Sequence, residues 1–224
     1  MSVVLVVAPH PDDETLGCGG TLLRHKEQGD EVHWLIVTSM SEQYGFTKER
    51  MEEREAEIQR TKDAYGFDGV TQLQFPTMRL DDIPMADLVA RMSASFQEIR
   101  PNTVYVPHRG DVHTDHAAVF DATISCTKWF RYPFVSKIAV YETLSETDFG
   151  LNPDNNGFRP NWFVDIAPWI DRKIEIMNIF RSEMGAFPFP RSEEAIRSLA
   201  KVRGAASGFE AAEAFMVLKE TWGR

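Results

Sequence analysis

Five short apolar runs, Val3–Ala8, Val32–Thr38, Val70–Phe75, Thr103–Pro107 and Lys137–Tyr141, read as strands, and each is separated from the next by a longer segment. The four intervening segments contain helices at Thr15–Gln28, Thr47–Tyr65, Met85–Ile99 and Asp115–Lys128, the third following Pro84 and stopping before Pro101. Strands joined through helices form right-handed crossovers, which put the strands parallel and the helices on both faces. The expectation is an α/β, Rossmann-like, mostly parallel sheet in the doubly wound order 3-2-1-4-5.

After residue 143 the pattern loosens. Glu146–Pro160 is rich in Asn, Gly, Pro and Asp and reads as a long loop. A short strand at Trp162–Ile166, helices at Trp169–Met184 and Ser192–Ala206, and a closing strand or helix near Ala211–Leu218 complete the chain. With no repeat and no linker-like composition break, 1–224 is expected to be one domain, a Rossmann-like core at 1–142 and a C-terminal elaboration at 143–224 that completes the pocket.

A formal charge of −10 argues against sequence-independent binding to nucleic acid or an acidic membrane. Cys18 and Cys126 make no disulfide framework, the apolar runs are strand-length, and no secretory signal opens the chain. A cytoplasmic protein with no membrane span is the expectation. The Phe-Pro repeat in AFPFP (186–190) reads as a packing or subunit contact, which would make the chain a homo-oligomer.

The ends of the first and fourth strands carry the chemistry. The first runs into PHPDDE (9–14), where a phosphate-binding turn would offer glycines and bare N–H groups. His10, Asp12, Asp13 and Glu14 would repel a phosphate and suit a cation. The fourth runs into HRGDVHTDH (108–116). In the order 3-2-1-4-5 strands one and four are neighbours at the switch point, so these two stretches meet in one crevice. Two imidazoles and a carboxylate suit zinc or a similar divalent metal with an open position for water. A further carboxylate can take that water's proton, and a further histidine can serve an oxyanion or a leaving amine.

PHPDDE followed by HTDH (113–116) resembles the LmbE-like, PIG-L-type zinc-dependent N-acetylglucosaminyl deacetylases. REAE (54–57) and AAEAF (211–215) fit two further, less specific elements of that family. The resemblance implies a hydrolase removing an N-acyl group, acetyl first of all, from an amino sugar or glycoconjugate. It implies His10, Asp13 and His116 as ligands of Zn2+, with Fe2+ or Co2+ as substitutes. Asp12 becomes the general base and His113 the residue that stabilises the tetrahedral intermediate, with Arg54 and one of Asp81 or Asp82 near the sugar. Some family members have a tyrosine where this chain has Asp111, which could instead orient a neighbouring histidine from behind.

Arg79, Asp81 and Asp82 follow the third strand at the edge where the site lies, so a substrate role is expected of them. Asp115, inside HTDH, is expected beside the ligands in a supporting position. His25 and His33 lie away from the crevice and read as structural, and His108 reads equally well either way. Gly17, Gly19 and Gly20 lack the dinucleotide-binding spacing and read as close helix–sheet packing. Two other readings keep the fold: a metal-dependent phosphoester hydrolase, for which only Arg109 lies close in sequence, and a non-catalytic Rossmann-like sugar- or nucleotide-binding module. Loops at 40–46, 76–84, 109–113 and 143–161 are expected to shape the pocket.

Overall fold

A computed structural model describes residues 1–151 and 157–223. The loop expected over 146–160 therefore lies partly outside the described residues.

Among the described residues, one seven-stranded sheet organises the fold: β1 (Val3–Ala8), β2 (Glu31–Ser39), β3 (Gly69–Pro76), β4 (Thr103–Pro107), β5 (Lys137–Tyr141), β6 (Trp162–Asp165) and β7 (Ala212–Glu220). Their order is β3-β2-β1-β4-β5-β7-β6, so the first five follow the expected order. Those five pair in parallel, whereas β7 runs antiparallel between β5 and β6. The closing element is thus a strand that ties the C-terminal region into the core sheet.

The central strands are apolar because both faces are covered. Val4 through Ala8 are completely buried. On one face Val4, Val6 and Ala8 pack with α1 (Asp13–Glu27), and with Ile174 and Phe180 from further along the chain. On the other, Leu5 and Val7 join Leu88, Met92 and Phe96 of α3 (Met85–Ile99) and Val119 of α4 (Thr114–Ser125). The remaining helices are α2 (Lys48–Tyr65), α5 (Ile170–Met177) and α6 (Glu193–Ser207).

The helix expected over Trp169–Met184 is shorter. It ends at Met177, and the chain reaches a 3-10 turn at Arg181–Glu183 after placing Phe180, fully buried, in the core. Apolar residues at 176–180 mimic helical periodicity there, but the turn sends Glu183 toward the opposite wall of a cavity described below. The glycines of α1 are a packing requirement: a Cβ on Gly17 would lie 2.2 Å from the Tyr141 ring, and one on Gly20 2.6 Å from Ile166.

Candidate functional site

The turn between β1 and α1 is held on several sides. Thr38 donates both its backbone N–H and its hydroxyl to Pro9 O (3.0 and 2.8 Å), and Arg54 donates to Pro11 O (2.7 Å). Asp12 adopts φ 145°, a region costly for a residue with a side chain. Its N–H donates to Glu14 Oε2 (3.1 Å) and its carboxylate accepts from Arg191 Nη1 (2.9 Å), so the strained conformation is held at both ends.

Because β1 and β4 pair directly, the turn after β1 meets the start of α4. The ring centroids of His10 and His113 lie 4.5 Å apart, those of His10 and His116 5.5 Å, and those of His113 and His116 5.6 Å. Asp13 Oδ2 lies 3.3 Å from both His10 Nδ1 and His116 Nε2. His10, Asp13 and His116 each offer a ligand atom within 4.8 Å of the others, the arrangement that could hold a metal ion.

Each imidazole has a carboxylate behind it. His116 donates from Nδ1 to Asp111 Oδ2 (2.7 Å), and Asp111 Oδ1 accepts from Thr147 Oγ1 (2.6 Å). His10 donates from Nε2 to Asp115 Oδ2 (3.1 Å), while Asp115 is fixed by the backbone N–H groups of Met78 (2.7 Å) and Leu80 (3.1 Å). These bonds fix the tautomers and turn the other ring nitrogens toward Asp13. Among the described residues, His116 Nε2 and Asp13 Oδ1 are buried without a hydrogen bond, so both retain ligand capacity inside the protein. The donor set therefore fits a divalent cation.

The electrostatics of the site carry the same signature. Burial disfavours charge on His10, but hydrogen bonds to Asp115 and Asp13 outweigh it and raise its pKa to about 9. Burial also opposes charge on His116, yet Asp13 and Asp111 raise it to about 10. Asp13, although buried, is held well below the carboxylate range by the two imidazoles. Burial pushes Asp12 up to about 7, against the pull of Arg191. His113 is lowered to about 4, first by burial and then by the charge on His10. Its Nδ1 accepts from Asp115 N–H (3.1 Å), leaving a neutral ring with its proton on Nε2.

His10, Asp12 and His113 open into a cavity of about 630 Å³, which Arg54 also lines. Arg79, Asp81 and Asp82 do not line it. They are exposed, and Arg79 pairs with Asp82 while lying over Tyr44. His108 packs edge-on against Phe158, and Arg109 pairs outside with Asp121 (2.7 Å). Glu213, from AAEAF, is buried away from the cavity, accepting from Gly20 N, Thr21 N and Lys173 Nζ. Sequence reasoning missed Glu146, Glu183 and Arg191, which line the cavity from the C-terminal region. None sits in a motif. The one available signal was the FPFP turn immediately before Arg191, which reads as a surface contact.

The family model for PIG-L, GlcNAc-PI de-N-acetylase, matches residues 5–127, more than half of the chain and both histidine-containing stretches. The chain belongs to the PIG-L family. It is 32% identical over 198 residues to the "Probable N-acetyl-alpha-D-glucosaminyl L-malate deacetylase 2" of Bacillus cereus, covering 82% of this chain and 84% of that one. It is 26% identical over 228 residues to the diacetylchitobiose deacetylase of Thermococcus kodakarensis, covering 94% and 80%. Among solved structures, a conserved protein of Thermus thermophilus superposes with a TM-score of 0.78 at 29% identity over the full length of both chains.

Proposed function

We propose that this PIG-L family member is a zinc-dependent N-deacetylase that hydrolyses the N-acetyl group of an amino sugar or glycoconjugate. The observation that carries the reading is the pair of buried atoms that make no hydrogen bond among the described residues, His116 Nε2 and Asp13 Oδ1, beside His10 at the mouth of a cavity that also contains Asp12. Both relatives described above are deacetylases of N-acetylated sugars by name, which supports the same reaction here.

His10, Asp13 and His116 would hold the ion, with Asp111 and Asp115 orienting the two imidazoles. When bound, zinc supplies an acidified water and polarises the amide carbonyl. Asp12 takes the proton of the attacking water; its carboxylate is fixed by Arg191 and its basicity is raised by burial toward the range useful at neutral pH. His113 donates from Nε2 to the oxyanion of the tetrahedral intermediate, as a neutral imidazole can. Collapse breaks the C–N bond, and the proton held by Asp12 passes to the departing amine, leaving acetate and the amino sugar.

Arg54 acts by holding Pro11 and Glu183 rather than as a free cation for substrate. The geometry favours this chemistry over phosphoester hydrolysis: Arg109 lies outside the cavity, and a second candidate ligand group, His10, His113 and Asp115, shares His10 with the first.

The test is elemental analysis of the purified protein beside a His116→Ala variant, followed by an assay of acetate released from N-acetylglucosamine and N,N′-diacetylchitobiose. About one zinc per chain, lost in the variant, with acetate release from wild type alone is the expected result. Protein that neither contains nor takes up a divalent metal would refute the proposal.

A further inference from the structure

The two chemical halves of the site lean on one short segment of the C-terminal region, residues 143–147. It follows β5, whose Tyr141 is fully buried and donates its hydroxyl to Val7 O of β1 (2.9 Å). Thr143 is fully buried, and its carbonyl accepts from the N–H groups of Glu146 (3.1 Å) and Thr147 (2.9 Å), which closes the segment into a turn. Ser145, inside that turn, has φ 72°, the left-handed region uncommon for a residue with a side chain. The turn lies against the loop after β4. Val112 N–H donates to Glu146 O (3.1 Å), and a Cβ on the nearby Gly150 would lie 2.3 Å from Gly110 O.

Three successive side chains leave this turn toward two targets. Thr147 Oγ1 donates to Asp111 Oδ1 (2.6 Å) while accepting from Thr143 N–H (2.8 Å), so the direction of its proton is set. Asp111 Oδ2 accepts from His116 Nδ1 (2.7 Å). With both oxygens engaged the Asp111 carboxylate cannot turn, and neither can the ring that it holds. On the other side, Ser145 Oγ and Glu146 Oε1 accept from Arg191 Nε (2.7 Å) and Nη2 (3.1 Å), while Arg191 Nη1 donates to Asp12 Oδ2 (2.9 Å). Arg191 immediately precedes the cap of α6, Ser192, whose hydroxyl accepts from Ala195 N–H (3.1 Å). A helix N-terminus disfavours a cation, and the carboxylates of Asp12 and Glu146 offset that cost.

We propose that residues 143–147 are a positioning element serving both halves of the site: Thr147 sets the direction of His116 through Asp111, and Ser145 sets the direction of Asp12 through Arg191. The inference rests on the reading of His116 as a metal ligand and Asp12 as the base, and adds to it two residues that no motif contains. Neither Thr147 nor Ser145 lines the cavity, so each acts through another side chain rather than on a ligand. Partners of this kind orient a ligating histidine and tune its basicity. A base held slightly out of line loses rate without losing substrate, because geometry at the reacting atoms is what the barrier responds to. The two residues therefore have separable effects, one on metal binding and one on turnover.

The experiment uses wild type, Thr147→Val, Thr147→Ser and Ser145→Ala. It measures the affinity of each metal-free protein for Zn2+ by chelator competition, then kcat and KM for acetate release from N,N′-diacetylchitobiose by the zinc-saturated protein. Thr147→Val is expected to weaken Zn2+ binding by about 3- to 10-fold, the worth of one hydrogen bond, and Thr147→Ser to restore it. Ser145→Ala is expected to lower kcat by about 3- to 10-fold with KM and Zn2+ affinity unchanged. Undiminished Zn2+ affinity in Thr147→Val, or a loss in Thr147→Ser as large as in Thr147→Val, would overturn the role of Thr147. An unchanged kcat in Ser145→Ala, or equal losses of Zn2+ affinity in Ser145→Ala and Thr147→Val, would overturn the division of labour and reduce the segment to general support. Wild type that binds no Zn2+ would overturn the metal reading and the inference with it. Wild type that binds Zn2+ and releases no acetate would overturn the deacetylase reading and the Ser145 half, the Thr147 half being decided by affinity alone.

Discussion

His116 donates its Nδ1–H to Asp111 Oδ2 at 2.7 Å, so the imidazole presents Nε2 to Asp13 from a fully buried position. His10 and Asp115 repeat the relationship on the other side of Asp13. A carboxylate behind a ligating histidine makes the ring more basic and fixes its direction. Asp111→Asn keeps the volume and removes the charge, so metal affinity should fall by about 10- to 100-fold while the fold persists. Competition with a chelator, alongside circular dichroism, measures both; unaltered affinity would exclude Asp111 from the orienting role.

Asp12 occupies a backbone conformation unfavourable for a side-chain-bearing residue, and Glu14 and Arg191 hold it there. Such strain is maintained only where surrounding groups over-determine it, and it concentrates at functional sites. Asp12→Asn leaves His10, Asp13 and His116 intact but removes the proposed proton acceptor. Turnover should drop by about 10²- to 10⁴-fold with metal content unchanged. Parallel measurement of zinc and acetate release decides the matter, since loss of both together would make Asp12 a structural residue.

Most of the sheet was legible because its signals are local. Buried parallel strands must be continuous apolar runs, and Val3–Ala8 is one. The meeting of His10 with His116 was also legible, since strand order follows from crossover rules and places the two strand ends together. The far wall was not. Arg191 acquires its meaning from Asp12, 179 positions away, through a C-terminal region whose turns carry no periodicity. The same holds for Phe180, which is buried beyond the end of α5 at Met177 although its spacing suits a longer helix. Arg79 and Asp82 illustrate the converse: proximity to the strand end suggested a substrate role, but both are exposed, paired with each other outside the cavity lining.

Lys173 and Glu213 form a buried ion pair (2.7 Å) that joins α5 to β7, and Glu213 also accepts from the backbone of α1. Removing Lys173 leaves the Glu213 carboxylate buried with only the backbone N–H groups of Gly20 and Thr21 as partners. Lys173→Met should therefore destabilise the protein by about 3–5 kcal/mol. The double variant Lys173→Met with Glu213→Gln should recover part of that loss, because the orphaned charge is gone. Urea unfolding of the wild type, both single variants and the double variant gives the coupling; strict additivity would mean that the two side chains act independently.

Glu183 supplies a pH dependence from outside the proposed ligand set. Burial raises its pKa, but Arg54 and then Arg191 outweigh burial and hold the carboxyl below its ordinary 4.5. A carboxyl with a depressed folded-state pKa binds fewer protons folded than unfolded, so its contribution to stability is present above 4.5 and is lost as pH falls through the lower folded value. Glu183→Gln resembles the protonated acid at every pH. The variant should be less stable than wild type at pH 7, and the difference should shrink steadily as pH drops below 4.5. Urea midpoints collected from pH 7 to pH 3 measure the gap, and a gap of constant size across that range would show that Glu183 is not held by the two arginines in the folded protein.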